Sequence, residues 1–178
     1  REFKDRGILI PEIQDKAIIN KIRKIIKDFF CEDTDFYQKM SRDDFQDHAL
    51  KCQNLINQQA VQEKFYISEK NLFDSLYPGE KLLHESVVVL RAIRPICNSV
   101  QGEHPDFHRE TFYSDHSHTP YVVNIWMPIL NVNEDNTLRY IPESHLIPDS
   151  KIIHENNDDW EGRVNKFSSG HKMGMFWA

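Results

Sequence analysis

Ser86-Val87-Val88-Val89-Leu90 is the stretch on which the fold turns, together with Tyr121-Val122-Val123-Asn124-Ile125-Trp126-Met127 and Thr137-Leu138-Arg139-Tyr140-Ile141. All three are short, largely apolar, and rich in β-branched or aromatic side chains. That composition predicts strands, because branched side chains pack well on a pleated surface. Between the second and third lies a polar turn of Asn131, Asn133, Glu134, Asp135 and Asn136, and Pro142 closes the third. Short strands joined by polar turns predict a sandwich or jelly roll.

Working back toward the N-terminus, the pattern changes from runs to periods. Pro11 opens a helical pattern that reaches about Phe30, with Ile18, Ile22, Ile25, Ile26 and Phe29 recurring at spacings of three and four. A second helix is predicted over Asp43 to Gln62, capped near Ser41, with Phe45, Ala49, Cys52, Leu55 and Ile56 on one face. A short third one follows Ser68 and ends before Pro78-Gly79. Helices first and strands later place the chain in the mainly β, α+β class. The expectation is one domain over residues 1–178, helix-rich over 11–77 and strand-rich over 81–178: a double-stranded β-helix, or jelly roll, with N-terminal helices packed on it.

The 178 residues are enough for a substantial core. Charged residues make up 28% and mean hydropathy is -0.62, so the composition is that of a globular chain with no bilayer-spanning run. A net charge of -6 argues against a nucleic-acid partner. Cys31, Cys52 and Cys97 are odd in number and far apart, which disfavours a disulfide framework or a zinc ribbon and fits a reducing, cytoplasmic setting. No signal peptide or membrane segment is expected. The start at Arg1 and the stop at Phe176-Trp177-Ala178 lead to the expectation that the C-terminal strands of the jelly roll lie beyond this chain.

The candidate chemistry sits between residues 104 and 145, where His104, His108, His116, His118 and His145 are interleaved with Glu103, Asp106, Glu110 and Asp115. Imidazole and carboxylate without thiol suit iron, manganese or zinc. His108-Arg109-Glu110 is the better half-site: residues two apart share one side of a strand, and Thr111-Phe112-Tyr113 continues it. His104-Pro105-Asp106 carries a proline, which does not fit a sheet ladder.

The order His108-Arg109-Glu110, Phe112-Tyr113, Val122-Val123-Asn124-Ile125-Trp126, then Glu134-Asp135-Asn136-Thr137-Leu138 through Pro142-Glu143-Ser144-His145 resembles the phytanoyl-CoA dioxygenase family of Fe(II)- and 2-oxoglutarate-dependent oxygenases. Glu2-Phe3-Lys4-Asp5-Arg6-Gly7-Ile8-Leu9-Ile10 resembles the family's opening strand, and Asp159 to Lys166 a later segment. The resemblance implies Fe(II) held by His108 and Glu110, with His171 a candidate for the distal histidine. It implies 2-oxoglutarate as co-substrate near Trp126, Asn124 and Leu90, and hydroxylation of a small organic substrate by O₂. His145 is expected to be structural. The chain departs from the family in Glu110 where it has aspartate, in Glu143 where it has glycine, and in lacking a late His-then-Arg pair. Two alternatives stand beside the oxygenase: an inactive jelly-roll binding module of the same family, and a zinc-dependent hydrolase. A plain helical interaction domain is placed last, because the strand block from 86 to 141 has no place in it.

Overall fold

A computed structural model of the chain describes residues 2–82, 87–94, 123–134 and 137–147. The described residues contain six α-helices, one short 3₁₀ turn and no strand. They divide between two compact units: residues falling within Ile13–Asp106 and Met127–Thr137 belong to one, and those within Arg1–Glu12, Phe107–Trp126 and Leu138–Ala178 to the other.

The first of these units is helical. Helix α2 covers Lys16–Phe29, α3 Thr34–Lys39, α4 Arg42–Asn57, α5 Val61–Ser68 and α6 Lys70–Leu76, after the short α1 at Glu2–Arg6 in the other unit. The α2 isoleucines do what their spacing dictates: Ile18, Ile19, Ile22 and Ile26 are buried along one face. The helix begins at Lys16, not at Pro11. The backbone N–H groups of Gln14 and Asp15 donate to one carboxylate oxygen of Glu69, at 2.9 and 3.2 Å, which holds the segment before Asp15 out of the helix. Asp15 then caps α2 by accepting from the Ala17 N–H at 2.9 Å.

Ser41 caps α4 as expected, its hydroxyl oxygen accepting from the Asp44 N–H at 3.1 Å and donating to the Asp44 carboxylate at 2.6 Å. The helix predicted to run on to Gln62 instead ends at Asn57. Ala60, with φ +50°, turns the chain through the left-handed region and starts α5 in a new direction. Ile18, Ile22, Ile26, Cys52, Ile56 and Val61 form the core, with Cys52 wholly buried at 0% exposure. Burial pushes the Cys52 thiol up to about 11, so it stays protonated and inert.

The jelly roll is not borne out. Of the three runs read as strands, the described parts (87–90, 123–127 and 137–141) are extended or irregular and pair with no neighbouring strand among the described residues. The reason is clearest at Val88. Its N–H donates to the Asn57 side-chain oxygen at 2.8 Å, and its carbonyl accepts from the Asn57 side-chain nitrogen at 3.0 Å. One amide at the end of α4 thus fills both positions that a neighbouring strand would fill. Two residues on, the Leu90 N–H donates to the buried Gln53 side chain at 2.9 Å. Val88 and Leu90 pack on the helical core, as do Ile129 and Leu130. The Ile129 carbonyl accepts from the Arg23 guanidinium at 2.8 Å. Apolar side chains are buried as the composition requires, against helices and not across a sheet.

The opening segment read as a strand is helix α1. It stops at Gly7, whose φ of +76° and N–H bond to the Phe3 carbonyl at 2.8 Å end the turn. Only glycine fits there, because a Cβ would collide with the His145 ring and the Tyr140 hydroxyl. The Arg6 carbonyl accepts from the Tyr140 hydroxyl and from the Glu143 N–H. Ser144–Leu146 forms the 3₁₀ turn, preceded by Glu143 in the left-handed region at φ +63°.

Candidate interaction surface

Helices α2 and α4 bury one face between them and leave a shallow open groove along the outside. Its volume is about 320 Å³, and it is lined by Lys21, Ile25, Asp28 and Phe29 of α2, by Leu55 of α4, and by Gln59 just beyond α4. The floor is apolar: Ile25 and Phe29 are half-buried, and Leu55 is 41% exposed. Lys21 and Asp28 stand seven residues apart on α2, two turns or about 10 Å along the helix. Asp28 is paired with Lys24 at 2.6 Å.

Helix α2 taken as a whole is basic, unlike the chain. The net charge is -6, yet α2 carries Lys16, Lys21, Arg23, Lys24 and Lys27 against the single carboxylate of Asp28. Lys51 lies one turn before Leu55 on the same side of α4. The groove is therefore an apolar strip whose own lining carries one cation, Lys21, and one carboxylate, Asp28, the latter paired with Lys24.

At the C-terminal end of α2 the helices meet through aromatic rings. His48 of α4 lies 4.6 Å from the Phe29 ring centre, 5.2 Å from Phe30 and 5.7 Å from Tyr37 of α3. Phe45 closes the cluster against Phe30 and Tyr37. Burial, and then the nearby Lys51 charge, hold the His48 imidazole below the ordinary histidine range. Burial likewise raises the Tyr37 phenol, whose oxygen accepts from the Cys31 N–H at 2.8 Å.

The residues singled out for iron chemistry fall mostly outside the described residues. His108, Glu110 and His171 lie outside the described residues, as do His104, His116 and His118. Leu90, placed near the 2-oxoglutarate pocket by the resemblance, packs on the helical core instead. Asn124 and Trp126 belong to the other unit, both partly buried, and the Asn124 side-chain oxygen finds no hydrogen-bond partner among the described residues. Among the described residues no group of three or more His, Cys, Asp or Glu side chains could hold a metal ion. Nor is there a sheet among them to carry the two-histidine, one-carboxylate face. The expectations of an Fe(II)- and 2-oxoglutarate-dependent oxygenase, of O₂ and a small substrate as partners, and of an inactive or zinc-loaded jelly roll are therefore corrected. A β-branched run predicts an extended backbone, but the oxygenase reading needed those runs to pair.

No family model matches the chain, and comparison with curated proteins and with solved structures likewise gave no match. The family resemblance thus has no support from these comparisons. No helix among the described residues is long and apolar enough to cross a membrane.

The groove residues were present in the sequence pattern but read as core. Leu55 and Ile56 are adjacent, so on a helix they point about 100° apart and cannot both face the same neighbour. Ile56 takes the core position at 1% exposure and Leu55 the groove. That adjacency was the available signal.

Proposed function

We propose that this chain is a helical interaction module whose α2–α4 groove takes an acidic amphipathic helix of a partner protein. The observation that supports this reading is the exposed Leu55, set beside Ile25 and Phe29 in an apolar strip on the basic helix α2, where the carboxylate of Asp28 is already paired with Lys24. A helix laid in such a groove buries apolar anchors at spacings of three, four and seven. Its Glu or Asp side chains would face Lys21 and Lys51, and this charge match would speed encounter and disfavour basic competitors.

The test uses a fluorescein-labelled helical peptide with leucines at positions i, i+4 and i+7 and glutamates on its flanks. Its binding to the full chain is followed by anisotropy. Saturable binding is expected, weakened roughly tenfold or more by Leu55→Asp, since a charge would be buried beneath an apolar anchor. Lys21→Glu should weaken it less and reduce its salt dependence. Equal binding of a lysine-flanked version, or indifference to Leu55→Asp, would sink the reading.

A further inference from the structure

The aromatic joint at the end of α2 holds a titratable ring that nothing in the groove reading uses. His48 is half-buried against Phe29 at the end of α2, the capping Phe30 just beyond it, and Tyr37 from α3. Its Nε2 is buried and has no hydrogen-bond partner among the described residues. We propose that His48 is a proton-sensitive latch: neutral, its ring packs α2, α3 and α4 together; protonated, it loosens that joint.

From the end of α2 the neighbours of His48 are two uncharged phenyl rings. From α3 the neighbour is Tyr37, a neutral phenol whose oxygen already accepts from the Cys31 N–H. On α4 the acting charge is Lys51, which repels an imidazolium. Asp44, one turn before His48, is occupied by the Ser41 hydroxyl and N-cap. Arg94, from the extended segment, donates to the Met40 carbonyl at 2.6 Å between α3 and α4 and brings a further positive charge to this end of the bundle. An imidazolium here would add a second N–H that must be satisfied and a charge that is paired with no carboxylate among the described residues. Ring faces attract cations, and the Phe30 ring stands nearly perpendicular to the imidazole, at 83°. Burial, with the Lys51 charge behind it, acts in the opposite sense and disfavours the cation.

The sign of the pH dependence follows. A histidine held below its ordinary range in the folded chain binds its proton less readily folded than unfolded. Its stabilising effect is complete above the unfolded value of about 6.5. It is lost as the pH falls from there through the folded value. Phe29 also lines the groove, so loosening would register there; that consequence rests on the docking proposal, whereas the latch itself does not.

The experiment is thermal unfolding of the full chain and of His48→Gln and His48→Phe at about pH 7.5 and about pH 5, with the His48 ring protons followed by NMR. The expected result is a loss of several degrees in Tm on acidification that is smaller by a few degrees in either variant. The imidazole should titrate below the free-histidine value, with the Phe29 and Tyr37 ring signals moving at the same midpoint. Should one variant fail to fold, the other and the wild-type NMR titration still decide. A midpoint at or above that of free histidine, or identical Tm losses in wild type and variants, would overturn the latch. Failure of peptide binding with a normal His48 titration would count against the groove alone.

Discussion

Two aliphatic segments of the helical unit make an instructive pair. In α2, Ile18, Ile19, Ile22, Ile25 and Ile26 are as β-branched as Val87, Val88 and Val89, yet one segment is a helix and the other neither helix nor strand. The isoleucines are spaced by Asn, Lys and Arg so that one helical face is apolar and the other solvated. A helix satisfies its own backbone hydrogen bonds, so side-chain burial alone suffices to hold it. The valine run has no such spacing and needs outside partners for its N–H and C=O groups. It finds them in Asn57 and Gln53 on α4. One segment is held chiefly by side-chain burial, the other by amide clamps as well.

That contrast can be broken from either side. Ile56→Ala should have the largest effect, about 3 kcal/mol, because Ile56 is fully buried in the core and truncation leaves a cavity. Chemical denaturation reads it, and a cost under about 1 kcal/mol would mean the core is looser than its burial implies. Asn57→Ala should come next, at about 2 kcal/mol, since it strands both polar groups of Val88 and removes the acceptor for the Gln62 side chain at 3.1 Å. Its signature is selective: hydrogen exchange at the Val88 amide should accelerate while the middle of α2 keeps its protection. Uniform acceleration across both segments would erase the distinction drawn here.

Glu69→Ala sharpens the comparison from a third position, because Glu69 is another side chain that substitutes for backbone partners. It is 3% exposed and accepts from the Gln14 and Asp15 N–H groups. A loss of about 1–2 kcal/mol is expected, much of it restored in Glu69→Gln, which keeps an acceptor oxygen. No difference between the two variants would show that the carboxylate's charge matters more than its hydrogen bonds. The smallest effect should be Glu143→Gly, a gain of a few tenths to about 1 kcal/mol in the other unit. It relieves the left-handed strain at φ +63° while keeping the N–H bond to Arg6.

The helices of the first half were legible because their signals are local. Ser41 announces a cap, and the isoleucine spacing announces a buried face. The breaks at Asn57 and Ala60 were not legible, since nothing in Gln58-Gln59-Ala60 forbids a continuous helix. Nor was the late start of α2 legible, for it depends on a carboxylate 54 residues away. Of the candidate site, Ile25, Phe29 and Leu55 were visible as apolar positions, but their exposure was not. The histidine-rich stretch drew the functional reading toward iron because metal-capable residues close in sequence resemble a site whether or not the fold gathers them.

By itself, then, the sequence determined where apolar surface must be buried, which segments can sustain a helix, and that α2 is a basic helix in an acidic chain. Those properties follow from side-chain type and spacing, which act within a few residues. Only the tertiary structure decided what the extended runs pair with. A β-branched segment requires partners for its backbone but does not specify them, and an asparagine and a glutamine on a neighbouring helix satisfy the same N–H and C=O groups that a sheet would. The same arrangement turned Leu55 outward and set His48 against rings from two other helices, because one helix face can serve the core only where another element meets it.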